Sequence, residues 1–429
     1  MEVSSLQTLD DIVLLDTKST YGHLICVSKP FDENVPDYYA ISYRWGEHPQ
    51  WRAQTPNYVT YVTSISRYNL IKLCHLYRDI IPYLWIDTIC INQTDAVQRK
   101  KAIKNMDNIY RCAKKIVAVP DLCYCHQNPR MDMVTKEDIE TAVELISRSE
   151  VECNRAEPTP HDVQLRECLS SLPATMFICD IIKEWACRCW VISERTIGVN
   201  DNKLELIILR GNGIMIPYLL WDTYLKIEWD IEFNQHTLIK AIINSKSTKY
   251  IDRLFAILPH TKYKGDLQRL VDEDRVINHM IELKMALFDI LDMEGKILLL
   301  EDQLPFGRRL PYQLPSFIKD EQTWIVRSSL FKTVHANIDT IMYDGKHALK
   351  VSGPYTTPSL PEVPPRSIAL LGGEVESVID ILLATGVDDE PNAILRCVGS
   401  NGVWVAESTH DVRDDTCADY KHYGEFIVI

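Results

Sequence analysis

One carboxylate at a strand end and two short polar stretches are the residues of this chain best suited to chemistry. Asp87 closes the apolar run Leu84-Trp-Ile and is followed by Thr-Ile-Cys-Ile and then Asn92 and Gln93. An acid at a strand end could hold a ligand hydroxyl or cap its own loop. The amides of Asn92 and Gln93 have the same two uses, tying down the loop or reaching a ligand. Upstream, Ser42, Tyr43, Arg44, Trp45 and Gly46 leave the end of another strand. Arg44 could pair a pyrophosphate, or remain a solvated loop arginine. Trp45 and Trp190 could stack on a base, though tryptophans without other context are more often core. Gly46 permits a tight turn or a close backbone approach. Glu194, judged on residue type alone, is a helix-end acid in a surface ion pair.

Other constellations carry less. Cys123-Tyr-Cys125-His126 and Cys187-Arg-Cys189 bring metal-binding residue types together without the common Cys-x-x-Cys spacing, so no metal site is expected. Leu370-Leu-Gly-Gly-Glu374 lacks the lysine and the helix of a phosphate loop. No Gly-x-Ser-x-Gly elbow is present, and no spacing pairs Cys90 with a histidine as nucleophile and base.

The elements that must position these residues alternate. Ile12 to Leu15 and Leu24 to Val27 read as edge strands, and Tyr38 to Ser42 as a stronger one. Glu47 to Tyr58, with Pro49 and Pro56, reads as an exposed loop. Ile65 to Ile81 has apolar residues at Leu70, Leu73, Leu76, Tyr77 and Ile80, helical spacing that Pro82 ends. Leu84 to Val119 is a strand, a polar loop from Asp87 to Gln93, a helix and a second strand, about the length of a βαβ crossover. Asp95 and Gln98 suit the N-terminus of its helix, which is expected to bury Ile103, Met106, Ile109, Tyr110 and Ala113. Helical spacing returns at Lys136 to Ser149 and Thr175 to Cys189. Leu204 to Leu209 and Ile214 to Ile216 form a hairpin about Gly211-Asn-Gly213. The succession implies an α/β sheet.

Beyond residue 217 the pattern changes. Tyr218 to Met293 reads as mainly helical, with one long helix over Asp274 to Asp292. Short strands follow at Trp324 to Val326, Ala348 to Val351, Ile368 to Leu371, Ala393 to Leu395, Val403 to Val405 and Phe426 to Ile429, with a Pro-rich connection from Pro354 to Pro365. The expected division is 1–217 α/β, 218–320 helical and 321–429 β-rich. At 429 residues more than one core is expected, and 46% hydrophobic with 25% charged residues is globular composition. A net charge of −14 argues against broad binding to nucleic acid or anionic membrane. The odd count of 13 cysteines suits reduced thiols. Met1 to Asp10 lacks the pattern of a signal peptide, and no apolar run is long enough to span a bilayer. A cytoplasmic protein is the expectation.

Three stretches taken together resemble the HET domain, the heterokaryon-incompatibility module of filamentous fungi. They are Tyr39-Ala-Ile-Ser-Tyr-Arg-Trp-Gly46, Leu84-Trp-Ile-Asp-Thr-Ile-Cys-Ile-Asn-Gln93 with Met106, Ile109, Tyr110 and Ala113 beyond it, and Arg188-Cys-Trp-Val-Ile-Ser-Glu194. Asp252-Arg-Leu-Phe-Ala-Ile-Leu258 and Leu314-Pro-Ser316 resemble what commonly follows. Arg44 departs from the family, which more often has a small or apolar residue there, and Ser193 stands where a Gln is usual.

The HET domain is in turn similar to TIR domains, flavodoxin-like α/β modules. Some of these cleave NAD at the nicotinamide–ribose bond with a glutamate four residues after a tryptophan, the spacing of Trp190 and Glu194. The resemblance therefore implies a TIR-like parallel sheet flanked by helices, with Glu194 and Asp87 catalytic. It places Ser42, Tyr43, Arg44, Trp45, Gly46, Asn92, Gln93 and Trp190 around an NAD or NADP substrate. No prosthetic group is implied. It also implies a role in non-self recognition and cell death, with a homo-oligomer or a signalling partner. A module without chemistry, acting through protein contacts, is the other reading.

Overall fold

The apolar runs at Ile12 and Leu24 become β1 (Asp11–Asp16) and β2 (Cys26–Pro30), an antiparallel pair. The computed structural model describes residues 10–124, 134–153, 172–216, 233–272, 275–301, 315–318, 331–358, 377–387, 392–400, 402–412 and 420–429. β3 (Tyr38–Ser42) is buried throughout, as suits a strand with a parallel neighbour on each side. After it comes a hairpin of β4 (Trp51–Gln54) and β5 (Val59–Val62) where a loop was expected. Pro49 and Pro56 both fall outside its strands, so neither removes a ladder hydrogen bond. The Thr55 hydroxyl accepts from the Tyr58 amide at 3.0 Å and closes the turn. Ala53 and Val62 reach the core.

α1 (Arg67–Tyr77) is capped by the Ser66 side chain and buries Leu70, Leu73 and Tyr77 as its spacing predicts. Ile80 lies beyond its last turn and is exposed, contrary to expectation. β6 (Tyr83–Trp85) leads into a short helix, α2 (Asp87–Cys90), so the expected polar loop begins as a helical turn. The Ile86 carbonyl accepts from the amides of Ile89 and Cys90. The single helix expected next is two, α3 (Ala96–Lys104) and α4 (Met106–Cys112). They part at Asn105, whose side chain donates to the Lys101 carbonyl at 2.8 Å. The Asp95 side chain caps α3 through the amides of Val97 and Gln98. Met106, Ile109, Tyr110 and Ala113 are buried and Ile103 is half-buried. β7 (Lys115–Ala118), α5 (Lys136–Cys153), α6 (Pro173–Ala186) and α7 (Cys189–Asn200) lead to the hairpin of β8 (Leu204–Ile208) and β9 (Ile214–Ile216).

The sheet order is β2-β1-β6-β3-β7-β8-β9. β6, β3, β7 and β8 are parallel, and the outer pairings are antiparallel. β6 and β7, read from the sequence as one βαβ unit, are therefore not neighbours, because β3 lies between them. Numbered along the chain, the parallel strands run second, first, third, fourth across the sheet. The chain leaves β3 in one direction to build β6, then crosses back to build β7. The order reverses between β3 and β7, where open α/β sheets form a crevice at their carboxyl ends.

The chain forms two compact units, Met1–Ile231 and Glu232–Ile429. In the second, α8 (Gln235–Asn244), α9 (Tyr250–Ile257) and α10 (Lys264–Asp272) precede α11 (Met280–Ile290) and α12 (Met293–Leu300). The long helix expected over Asp274 to Asp292 is shorter, because His279 caps α11 and Asp292 already caps α12. The strands are β10 (Phe331–Val334), β11 (Asn337–Tyr343), β12 (Lys346–Thr356), β13 (Ser377–Gly386), β14 (Asn392–Ser400), β15 (Val403–Val412) and β16 (His422–Val428). β12 pairs with β11, β16 and β13, which links β13-β14-β15-β16-β12 into a ring through two short contacts, β12–β13 and β15–β16. β12 also carries the chain through Pro354, where a connection was expected to begin. The strands expected at Trp324 and Ile368, and the rest of that connection from residue 359 to Pro365, lie outside the described residues, as do Cys125, His126 and the glycine pair after Leu371.

Candidate functional site

The site grows from the carboxyl end of β3. Side chains of an extended segment point alternately to opposite sides, and Ser42 to Trp45 divide accordingly. Ser42 and Arg44 turn to α6 and α7. Tyr43 and Trp45 turn to α2. Ser42 donates a short hydrogen bond to Glu194 on α7, and its oxygen accepts from Trp185 Nε1 on α6 at 2.9 Å. Tyr43 and Trp45 both donate to Asp87, Tyr43 OH to Oδ1 at 2.7 Å and Trp45 Nε1 to Oδ2 at 3.0 Å. The two expected carboxylates thus meet consecutive residues of one strand end.

Glu194 is 6% exposed and lies in the middle of α7, not at a helix end in a surface ion pair. Burial disfavours its charged form and pushes its pKa up to about 7, against the opposing pull of the Ser42 and Tyr110 hydrogen bonds and the Arg188 charge. Burial, reinforced by Glu194 itself, holds the Tyr110 phenol well above its ordinary pKa, so it serves as a donor. Asp87 is also raised, mainly by burial, while Tyr43, Arg188 and Trp45 work the other way. Behind it Tyr43 approaches Ser64 at 3.4 Å, and Ser64 donates to the Thr88 hydroxyl at 2.9 Å.

The remaining expected residues are more dispersed. Asn92 accepts from the amide and hydroxyl of Thr94. Gln93 donates to the Asp87 carbonyl at 3.1 Å, and its own carbonyl accepts from Arg99. Both amides bind their own loop, the structural option. Trp190 is half-buried and packs against the core. Gly46 serves a close approach: a Cβ there would lie 2.7 Å from the Cys123 carbonyl oxygen. Cys90 is buried, and burial holds its thiol well above the ordinary range, which disfavours the thiolate a nucleophile needs.

Arg44, Trp45, Gly46, Glu47, His48, Cys123 and Tyr124 line an open cleft of about 420 Å³. Its walls are the segments leaving β3 and β7, so it occupies the crevice where the strand order reverses. Arg44 reaches Glu184 of α6 at 3.3 Å and lies over the Tyr124 ring. Burial pushes the Cys123 thiol up to about 11, so it lines the cleft uncharged. Trp45 belongs to this wall and to the Asp87 cluster.

Three residues with a part in the site were missed. Arg188 donates to the Tyr43 carbonyl at 2.8 Å, and its charge acts on both Asp87 and Glu194. Its position at the head of the third motif was the available signal. Tyr110 and Trp185 read as helix-face apolar residues, and nothing in their spacing announces their polar atoms. Among the described residues, no group of three His, Cys, Asp or Glu is placed to hold a metal ion.

The span from the first residue of β3 to Glu194 is also what comparison with known proteins picks out. Residues 38–194 match the family model described as heterokaryon incompatibility protein (HET). No curated protein and no solved structure matches the chain significantly. Over residues 38–194, rather more than a third of its length, the chain is thus similar to the heterokaryon-incompatibility (HET) family.

Proposed function

We propose that the protein is a HET-domain effector of fungal non-self recognition and cell death that hydrolyses NAD at its nicotinamide–ribose bond, with Glu194 as the reacting carboxylate. The observation that carries this reading is Glu194 itself, a buried acid held by Ser42 and Tyr110 beside Asp87 and Arg188 at the carboxyl end of a parallel strand. The family match supports a part in heterokaryon incompatibility. The second-first-third-fourth strand order agrees with the flavodoxin-like arrangement expected of a TIR-like module.

The chemistry asks little of the protein as an acid, because nicotinamide departs neutral from its cationic linkage. As the bond breaks, positive charge develops on the ribose, and an ionised Glu194 stabilises it from a preorganised position. Asp87 holds a ribose hydroxyl, Trp45 offers a ring face, and water adds at the ribose carbon to give ADP-ribose, nicotinamide and a proton. With a pKa of about 7, Glu194 gains its working charge as pH rises, so nicotinamide release climbs between about pH 6 and 8. The test is incubation with NAD, with NADP in parallel, on dilute and concentrated protein. Glu194→Ala is expected to cut release by at least about 100-fold, and unchanged turnover in that variant removes Glu194 from the mechanism.

One observation favours a second reading, a signalling module without chemistry. Glu194 is almost wholly buried, and the open cleft beside Arg44 is lined by other residues. On that reading the exposed Trp45 and half-exposed Arg44 are oligomer contacts. NAD is then untouched at every protein concentration, while Trp45→Ala weakens concentration-dependent self-association.

A further inference from the structure

Resting on the nucleotide reading above, we infer that Arg44 is a phosphate-binding cation kept in reserve by Glu184, whose carboxylate occupies the guanidinium until a phosphate displaces it. Three observations meet here. The cleft lies where loops from β3 and β7 diverge, the position at which α/β sheets take ligands. Arg44 lines that cleft, with Nη1 3.3 Å from Glu184 Oε2. Glu184 does not rest there by chance, because the Tyr124 hydroxyl, from the opposite wall, donates to the same Oε2 at 2.6 Å.

The exchange is physically reasonable. Both members of the pair are about one-third exposed, 37% and 34%, so water screens their attraction and little is lost when they part. A pyrophosphate brings more negative charge than one carboxylate and a set of oxygens that suits the planar guanidinium fork. Glu184 sits on α6 next to Trp185, which donates to the Ser42 oxygen. Release of Glu184 on α6 therefore occurs one residue from Trp185, whose partner Ser42 in turn donates to Glu194 on α7, so a chain of two hydrogen bonds links phosphate binding to the reacting carboxylate. Glu47 also lines the cleft but is exposed, so it provides a carboxylate whose removal tests general charge alone.

The experiment titrates inorganic pyrophosphate into the full-length protein at low salt, followed by calorimetry. Glu184→Gln is expected to tighten binding by about fivefold, whereas Glu47→Gln changes it by less than about twofold. Arg44→Ala should abolish binding, and Arg44→Lys, which keeps the charge without the fork, should fall between. Equal effects of Glu184→Gln and Glu47→Gln overturn the latch, as does binding that survives in Arg44→Ala. If Arg44→Ala fails to fold, the lysine and glutamine variants still decide. NAD hydrolysis is measured on the same samples. Its absence alongside the expected pyrophosphate pattern removes the enzyme reading and leaves the latch, and the reverse pattern removes only the latch.

Discussion

The decisive group at the residue scale is Glu194. Its carboxyl has a pKa of about 7 in the folded protein against an ordinary 4.5. Between those values the unfolded chain gives up its proton while the folded site keeps it, so stability falls as pH rises through that window. Below about pH 4.5 both states are protonated and nothing is lost; above about pH 7 the full penalty applies. Glu194→Gln should therefore match the parent near pH 4.5 and exceed it at pH 8 by roughly 3 kcal/mol. Chemical denaturation at the two pH values checks this, and an equal effect at both contradicts the raised pKa. The same variant should be inactive on NAD. Greater stability with lost activity is what a functional residue gives and a structural one does not. Ser42→Ala leaves Trp185 Nε1 and the Glu194 carboxyl each short of a partner and is expected to cost about 1–3 kcal/mol.

Capping and strut residues set the outcome at the scale of elements. Asp121, in the turn after β7, is buried and accepts from the amides of Leu209 and Arg210 at 2.9 and 2.7 Å. It fastens the loop of the β8–β9 hairpin to the same segment that forms one wall of the cleft. Removing it strands two backbone donors, so Asp121→Ala should cost about 2–4 kcal/mol. Asp95 also caps two amides, at the start of α3, but it does so in solvent. Water can replace it, and Asp95→Ala should cost about 1 kcal/mol. Thermal melts of the two variants side by side test the ranking; equal losses would mean that Asp121 is no strut.

The units have separate predictions at the scale of the whole molecule. Among the described residues, the core cluster of the first is drawn from Ile12 to Ile216. A core closed within one stretch of chain is what independent folding requires. Residues 1–231 alone should unfold cooperatively, with a fluorescence change from the buried Trp85 and Trp185. A gradual, featureless melt would show that the core needs the rest of the chain. No helix among the described residues is long and apolar enough to cross a membrane. In a chain of net charge −14, an anion held through Arg44 is expected to bind less tightly as salt rises.

Much of the first unit was legible in the sequence because its signals are local. Apolar runs at Ile12, Tyr38, Leu84 and Lys115 mark strands by burial alone, Leu70, Leu73 and Tyr77 mark a helix by period, and Asp95 announces a cap by its type. The β4–β5 hairpin was hidden by Pro49 and Pro56, which suggest a loop although both lie outside the strands. In the second unit β10 and β11 were not anticipated, since largely exposed strands carry weaker patterns than buried ones; β13 was also passed over, although it is buried from Val378 to Ala384. Motif spacing likewise singled out Asp87 and Glu194 as the acids to follow. What spacing could not supply is the neighbour. That β3 lies between β6 and β7, that Ser42 and Tyr43 send their side chains to different carboxylates, and that Arg188 acts on both are consequences of strand order. Strand order is set by which faces the whole chain can bury at once. So is the environment of Glu194: the sequence by itself determined that an acid stands four residues after Trp190, and only the packing of α7 against α4 and the sheet beside Ser42 took that acid out of water and raised its pKa.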